Sequence, residues 1–236
     1  MNMQGRVVVI TGATGGLGRV AAKDFARQGA SLVLVGTNMD KLQRLSEELK
    51  LPEDRILLYT ADLSQPGASD SLTRRVLDKF GRIDVLLLLI GGWSGGKKFI
   101  ETDRQQVEAM LQQHLWTTYH LTQAIIPAMS LNHWGRIIAI SSPLASRPEA
   151  GMTPYAIGKA AQETLLLTIA QEARESGITA NMLLVKTIDS EHRRDRQPDS
   201  KNADWTTPEE ITASLLHLCS NEARMINGAR IPLYGG

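Results

Sequence analysis

The chain has 236 residues, 42% of them hydrophobic, which is enough to bury the core of one domain. Lysines and arginines number 26 against 25 aspartates and glutamates, and this balance excludes a broad basic surface for nucleic acid or anionic membrane. The lone cysteine, Cys219, excludes an internal disulfide, and no metal-type Cys/His spacing occurs. Apolar runs fall far short of the ~20 residues of a membrane span. We therefore predict one cytoplasmic domain over 1–236 that acts on small molecules, without metal, membrane or nucleic acid.

Short apolar runs alternate with amphipathic segments along the chain. The runs, each typical of a strand buried on both faces, lie at 6–11, 31–36, 55–60, 84–90, 136–141 and 179–185. Helical stripes between the first runs are formed by Val20, Ala21, Phe25 and Ala26 and by Leu42, Leu45 and Leu49. Strands that alternate with helices predict a parallel sheet covered on both sides, a doubly wound α/β/α sandwich.

The first strand leads into a glycine-rich turn, TGATGGLGR, with Gly12, Gly16 and Gly18 just before the first helix. Glycines let the backbone approach a pyrophosphate, and the free N–H groups of a helix N-terminus hold its charge. The spacing is not the G-x-G-x-x-G fingerprint. It is the Thr-Gly-x-x-x-Gly-x-Gly pattern and resembles that of the short-chain dehydrogenase/reductase family. The resemblance extends along nearly the whole chain.

The resemblance implies a Rossmann-type fold with a seven-stranded parallel sheet. INGARIPLYGG resembles the family's closing motif, Gly228 to Gly235 and Gly236, with the seventh strand at about 230–234. It further implies an NAD(P)-dependent oxidoreductase that transfers a hydride between nicotinamide and a small carbonyl or alcohol. The cofactor contacts that it implies are Gly12, Thr14, Gly16, Leu17, Gly18, Thr37, Asp62, Leu63, Gly91, Tyr155, Lys159 and Thr187.

The stretch TPYAIGK places Tyr155 and Lys159 four residues apart, on one face of a predicted helix. Ser142 follows the fifth strand and precedes Tyr155 by the thirteen residues usual in the family. The resemblance makes Tyr155 the general acid/base, Lys159 its electrostatic partner and ribose ligand, and Ser142 a donor to the substrate oxygen. A surface lysine could not acidify a phenol that titrates near ~10, so we expect Lys159 in a closed cleft.

The residues after the second strand usually select the cofactor in such folds. Gly36, Thr37 and Asn38 offer neither the carboxylate that binds the ribose of NAD nor an arginine for the 2′-phosphate of NADP. Asp40 is assigned instead to the first turn of the next helix, where its negative charge interacts favourably with the positive end of the helix dipole. Loss of the carboxylate removes a repulsion against a 2′-phosphate, which tilts the prediction toward NADP and leaves NAD open.

Three positions depart from the family pattern. LLIG (88–91) replaces Asn-Asn-Ala-Gly, His114 replaces the relay asparagine of the long fourth helix, and Val185 and Lys186 replace Pro-Gly. His114 either relays protons or is a buried histidine satisfied by the backbone, and the second reading is favoured. These departures motivate a rival from another class, a non-catalytic NAD(P)-binding sensor or structural subunit.

Local segments resemble the loops of dihydropteridine reductases, a branch of the same family. They are GGWSGG (91–96), LWTT (115–118) and QPDSKNADWTTPEE (197–210). In this alternative Trp93 stacks on a flat heterocycle at the mouth of the site, whereas otherwise it plugs the core. That branch prefers NADH, with an acid after the second strand, and lacks the serine seen here at 142.

Two helical segments, 103–129 and 155–175, carry more apolar positions than one sheet face can cover. We assign the excess to the interface of a homodimer or homotetramer, through Leu111, Leu115, Leu121, Ile125, Leu165, Leu166 and Ile169.

The charged segment 186–205 is expected to be a mobile lid over cofactor and substrate, because EHRRDR has too little apolar surface to stay folded alone. The alternative is a solvated loop whose arginines make no specific contact.

Overall fold

Seven parallel strands form one sheet in the computed structural model, which describes residues 2–235. The strands are β1 (Val7–Thr11), β2 (Ser31–Gly36), β3 (Ile56–Thr60), β4 (Val85–Leu88), β5 (Gly135–Ser141), β6 (Ile178–Leu184) and β7 (Arg230–Pro232). Their order across the sheet is β3-β2-β1-β4-β5-β6-β7. The order reverses between β1 and β4, which opens a crevice at the carboxyl edge, where doubly wound folds bind ligands. The predicted fold class is confirmed, and Gly236 of the predicted closing motif lies outside the described residues.

The fourth strand is shorter than the sequence predicts. The apolar run extends over 84–90, but the strand ends at Leu88. The backbone N–H of Leu89 donates to the Thr11 side-chain oxygen at 3.1 Å instead of continuing a ladder. Leu89 and Ile90 then turn out of the sheet and line the crevice. The apolar character of these two residues therefore serves a cavity wall and not a strand.

Helices cover both faces of the sheet. They are α1 (Gly16–Arg27), α2 (Met39–Leu49), α3 (Ala68–Phe80), α4 (Arg104–Met110), α5 (Thr117–Leu131), α6 (Thr153–Glu172), α7 (Arg193–Arg196) and α8 (Pro208–Leu218). The predicted continuous helix over 103–129 is interrupted, because a π-helical turn, Leu111–Trp116, joins α4 to α5. Such turns widen a helix locally and are frequent at functional sites.

The core has two layers, one on each face of the sheet. Val9 and Leu86 belong to the layer packed under α3, α5 and α6, whereas their neighbours Ile10 and Leu87 belong to the layer packed under α1, α2 and α8. Successive residues of a strand point to opposite faces, so strands covered on both sides need apolar residues throughout. This requirement explains why the strands read as continuous hydrophobic runs.

Part of the predicted subunit interface is wrong. Leu121, Ile125 and Leu166 are completely buried within one chain, where they pack on the sheet. The large apolar side chains that α6 and the π-helical turn expose are different ones, among them Trp116 and Leu167. The periodicity of a helix shows which residues share a face, but it does not show whether a sheet or another subunit covers that face. The homo-oligomer itself stays a prediction.

Candidate active site

Glycines at the end of β1 bring the backbone of three segments together. Gly12 has a φ of +66°, and a Cβ there would lie 3.0 Å from the Leu89 carbonyl oxygen. A Cβ on Gly18 would lie 2.3 Å from the Gly12 carbonyl oxygen, so no side chain fits at that position. No side chain caps the N-terminus of α1, at Gly15. The first-turn N–H groups of α1 therefore remain available to an anion, as the glycine pattern predicts.

Two adjoining cavities, of about 550 and 650 Å³, form one cleft along the carboxyl edge. They share Gly12 and Gly91. Of the predicted site residues, the smaller cavity is lined by Gly12, Thr14, Thr37, Asp62, Leu63 and Gly91. The larger is lined by Gly12, Gly16, Leu17, Gly18, Gly91, Trp93, Ser142, Tyr155, Lys159 and Thr187. The structure therefore brings every residue predicted to bind cofactor, substrate or proton to one continuous cleft.

The wall of the smaller cavity carries little charge. Asp62 is its one charged lining residue within the described chain. Hydrogen bonds from Ser64, then Gln65, hold the pKa of the Asp62 carboxyl below its usual value. Asn38 caps α2 by accepting from the Lys41 N–H, and Asp40 lies in the first turn of α2, as predicted. The wall of this cavity at the end of β2 therefore carries neither an acid nor a base.

Lys159 lies buried on α6 with its ammonium group held from two sides. Its Nζ donates to the Ile140 carbonyl oxygen at 2.8 Å and to Gln162 Oε1 at 3.1 Å. Burial lowers the pKa of Lys159 to about 7, and the nearby Glu163 carboxylate opposes this shift. The closed environment that the sequence argument required is present. Burial disfavours the charged form of the lysine, and it disfavours the charged form of a phenolate beside it in the same way.

Tyr155 lies half-buried one helical turn before Lys159. Burial raises the pKa of the Tyr155 phenol, and the Ser142 hydroxyl acts in the opposite direction. The Lys159 Nζ is 6.0 Å from the centroid of the tyrosine ring. Ser142 begins a short 3₁₀ turn, where its Oγ accepts from the Leu144 N–H at 3.3 Å. These protein groups by themselves keep the phenol protonated at neutral pH.

Two polar residues beside Lys159 were missed by the sequence analysis. Gln162 Nε2 donates to Thr118 Oγ1 at 2.8 Å, so the side chain that holds the lysine is itself held by α5. Glu163 accepts from the Ser141 hydroxyl and pairs with Arg230 on β7 at 2.7 Å. Both Gln162 and Glu163 are buried. The available signal was their position three and four residues after Lys159, on the helix face that contacts the sheet.

His114 occupies the π-helical turn and is completely buried. Its Nε2 lies 3.3 Å from the Gly92 carbonyl oxygen, and its Nδ1 has no partner among the described residues. The imidazole meets the Tyr155 ring edge to face, with 5.8 Å between centroids. Burial, reinforced by the charge of Lys159, lowers the pKa of His114 to about 3. The favoured reading, a buried histidine satisfied by the backbone, therefore holds for only one of its two nitrogens.

Gly158 makes room for this histidine. A Cβ at position 158 would lie 2.9 Å from the Met110 carbonyl oxygen and 3.1 Å from His114 Cδ2. Contacts this short with backbone would force α6 away from the π-helical turn. The glycine and the histidine therefore depend on each other sterically, although 44 positions separate them in the chain.

Trp93 lies on the rim of the larger cavity with 59% of its surface exposed. The alternative in which this side chain plugs the core is wrong. Its exposed ring leaves an aromatic face available at the mouth of the cleft.

The segment 186–205 is held by polar contacts. Asp189 accepts from the backbone N–H groups of Arg193 and Arg194 at the start of α7. Arg194 donates to the Trp205 carbonyl oxygen at 2.7 Å and pairs with Glu210. The alternative of arginines without specific contacts is thus wrong, whereas the mobility of the segment stays a prediction. A count of apolar residues along the segment leaves out these hydrogen bonds and ion pairs.

Between residues 2 and 235, no helix is both long and apolar enough to cross a membrane. Over the same part of the chain, no three histidine, cysteine or carboxylate side chains converge as metal ligands.

Comparison with known proteins gives the family. The family model described as short chain dehydrogenase matches residues 6–201. A (2S)-[(R)-hydroxy(phenyl)methyl]succinyl-CoA dehydrogenase subunit from Thauera aromatica is 30% identical over 249 residues, covering 100% of this chain and 98% of that protein. A 3-oxoacyl-[acyl-carrier-protein] reductase from Escherichia coli K12 is 25% identical, covering 100% of this chain and 98% of that protein.

Solved structures agree with this result. A short chain dehydrogenase from Bacillus anthracis matches with a TM-score of 0.87 at 28% identity, covering 99% of this chain and 97% of that one. L-Sorbose reductase from Gluconobacter frateurii, complexed with NADPH and L-sorbose, matches with a TM-score of 0.88 at 27% identity, covering 100% and 97%. The chain belongs to the short-chain dehydrogenase family and is an NAD(P)-dependent oxidoreductase. The rival hypothesis of a non-catalytic sensor or structural subunit is set aside.

The low pKa of His114 makes the stability of the fold depend on pH. In the unfolded chain the ring takes up a proton below ~6.5, whereas in the folded chain it stays neutral down to about 3. Stability is therefore fully present above the unfolded pKa and is lost as the pH falls. Between about pH 7 and 5, wild type should lose ~2 kcal/mol more unfolding free energy than His114→Asn in urea titrations.

The control for this experiment is His217→Asn, at an exposed position on α8. This variant should keep the pH dependence of the wild type. An identical pH dependence in wild type and His114→Asn would contradict the predicted shift of the His114 pKa.

Proposed function

We propose that this enzyme transfers a hydride between NADP(H) and the carbonyl or alcohol carbon of a small substrate, with Tyr155 as general acid/base. The observation that carries the proposal is the position of Ser142, Tyr155 and Lys159 on one wall of the cleft, with the lysine anchored and buried. When a hydride adds to the carbonyl carbon of the substrate, negative charge develops on the carbonyl oxygen. A proton donor is therefore needed beside that oxygen.

The residues of the cleft fit a dinucleotide. Gly12, Gly16 and Gly18 would admit its pyrophosphate to the free N–H groups of α1, while Asp62 and Leu63 would lie beside the adenine. Thr187 would meet the carboxamide. The bound nicotinamide would supply or accept the hydride and, when oxidised, would add a positive charge to the cleft. NADP is supported over NAD by the smaller cavity, which has no carboxylate at the end of β2 to repel a 2′-phosphate.

Each protein group of the proposed site then has a defined role. During reduction the Tyr155 O–H donates its proton to the substrate oxygen, and the Ser142 O–H donates a hydrogen bond to the same atom. The Lys159 ammonium stabilises the resulting phenolate and would bind the nicotinamide ribose. Because burial lowers the pKa of Lys159 to about 7, its charge depends on the acceptors that surround it. Gln162 and the Ile140 carbonyl are those acceptors.

A second candidate is reduction of a flat heterocycle, as in dihydropteridine reductases. The exposed ring of Trp93 at the mouth of the cleft favours it, since an aromatic face there can stack on a planar substrate. The lack of an acid after β2 and the presence of Ser142 count against it. A substrate panel that includes both small carbonyls and a quinonoid dihydropterin separates the two candidates.

We also propose that residues 186–205 act as a lid. Ser190 supports this role, because a Cβ on Gly16 would lie only 2.4 Å from its Oγ, which places the segment directly over the glycine turn. Thr187 and Lys186 continue along the same cavity. Closing this segment over the cleft would exclude water and strengthen the electrostatic contacts inside.

Replacing Tyr155 by Phe removes the proton donor and keeps the ring. With NADPH or NADH and a panel of diketones, quinones and a quinonoid dihydropterin, we expect kcat/KM of Tyr155→Phe to fall ~10²–10⁴-fold. Cofactor affinity, measured by fluorescence titration, should stay close to that of wild type. Wild type that binds cofactor but shows no Tyr155-dependent turnover on the whole panel would refute the proposed role.

Two substitutions of Gln162 test the proposed role of Lys159, because they should shift the pKa of the lysine in opposite directions. Gln162→Leu removes an acceptor that favours charged Lys159, so the pKa of the lysine should fall and activity should be lost at a lower pH. Gln162→Glu adds a negative charge and should move the same limb of the kcat/KM profile to a higher pH. Shifts in the same direction, or none, would contradict this role, because a purely structural residue has no reason to give opposite signs.

Limited proteolysis tests the lid. Trypsin can cut after Arg193, Arg194, Arg196 and Lys201, all within 186–205. Saturating NADP should slow cleavage there while cleavage elsewhere in the chain is unchanged. Equal cutting with and without NADP and NAD would remove the support for a lid.

A further inference from the structure

A third cavity, of about 690 Å³, lies at the opposite edge of the sheet from the catalytic cleft. It is bounded by the amino-terminal starts of β5 and β6 and by the segment before β7. Arg136, Arg174 and Arg224 all line it, and none of its lining residues is an aspartate or glutamate. In a chain whose total charge is +1, three guanidinium groups around one cavity form a local excess of positive charge.

Arg136 is the most unusual of the three, because it is 98% buried, with a relative exposure of 2%. Its NH1 donates to the carbonyl oxygens of Gly135 at 2.7 Å and Gly177 at 3.2 Å, but its Nε has no partner within the described residues. No carboxylate of the described chain forms an ion pair with it. Thr179, also on the cavity wall, has a buried hydroxyl that is equally unpaired. Unpaired buried charges and donors are costly and therefore rare.

Aromatic stacking only partly compensates this burial. Two guanidinium groups lie over the Trp134 ring, with centroid distances of 3.8 Å to Arg6 and 4.2 Å to Arg136. Such contacts use the faces of the guanidinium planes and supply no acceptor to the N–H groups at their edges. Arg6 forms an ion pair with Asp84, which Arg82 shares, whereas Arg136 has no such partner among the described residues. An acceptor is therefore missing specifically on the side of Arg136.

Arg174 and Arg224 complete the site at the mouth of the cavity. Both side chains are exposed, and neither takes part in an ion pair among residues 2–235. Guanidinium groups bind the paired oxygens of phosphates and carboxylates through two parallel hydrogen bonds. One buried and two exposed arginines on the wall of one cavity thus provide donors for an anion with several oxygens.

We propose that this cavity is a binding site for a small polyanion that carries phosphate or carboxylate groups. Its volume lies within the range of ordinary small-molecule sites, which is large enough for a phosphate ester or a tricarboxylate. The buried Arg136 supplies the inner contact, and Arg174 with Arg224 supplies the outer one. The site is separate from the catalytic cleft and does not depend on the proposed reaction.

Pyrophosphate and citrate are suitable probes, titrated calorimetrically at constant ionic strength set with sodium chloride. Arg174→Gln/Arg224→Gln should weaken binding of the effective probe about tenfold or more, since charged hydrogen bonds are lost. The matched control is Arg44→Gln/Arg75→Gln, which removes two exposed arginines on α2 and α3 and should bind like wild type. Any pyrophosphate that still binds to Arg174→Gln/Arg224→Gln is attributed to the glycine turn in the cleft at the carboxyl edge.

Arg136→Met gives a second measurement that does not depend on the exposed pair. Replacing an unpaired buried charge by an apolar side chain of similar length should leave the folded protein intact. The rise in melting temperature that the probe causes in wild type should then be abolished. Tighter binding of pyrophosphate would identify phosphate esters as the ligand class of the cavity, and tighter binding of citrate would identify carboxylates. No binding by wild type at millimolar probe, or equal binding by wild type and Arg174→Gln/Arg224→Gln, would overturn the proposal.

Discussion

The cleft is organised around one buried ammonium group. Lys159 is held by the Ile140 carbonyl oxygen of β5 and by Gln162, which in turn is held by Thr118 of α5. A charge in such a place persists only while every neighbouring acceptor is positioned for it. The packing of α6 on the sheet and on α5 is therefore also the arrangement that sets the charge of the lysine. The packing of the helix and the role proposed for Lys159 depend on the same hydrogen bonds.

The same helix contact explains how the chain tolerates a histidine in place of the family's asparagine. His114 enters the interior through the π-helical turn, and Gly158 leaves the space that it occupies. With a pKa of about 3, the ring stays neutral and adds no charge beside Lys159. The two edges of the sheet then differ in kind. At the carboxyl edge Lys159 is held by two acceptors, whereas at the amino edge the guanidinium of Arg136 has no acid as a partner among the described residues.

Much of the fold and the cleft could be predicted because those features are local in the chain. The strands are apolar runs, and the glycine turn and the Tyr155–Lys159 pair each span a few residues. Predictions that needed knowledge of distant neighbours were less successful. Helical periodicity assigns Leu121 to a subunit interface, but the sheet covers it, and the apolar run 84–90 predicts a strand that in fact ends at Leu88. A hydrophobic period shows that a face is covered, and it does not identify what covers it.

The sequence by itself determined the doubly wound fold, the family and the residues of the proposed catalytic wall, since these follow from periodicity and from motifs of short spacing. Only the tertiary structure decided that Gln162 holds Lys159, that Gly158 accommodates His114, and that Arg136 lies buried without a carboxylate. The physical reason is that hydrogen bonding, steric exclusion and desolvation act over a few ångströms of space. Residues far apart in the chain meet at that range only after the sheet and its helices have assembled.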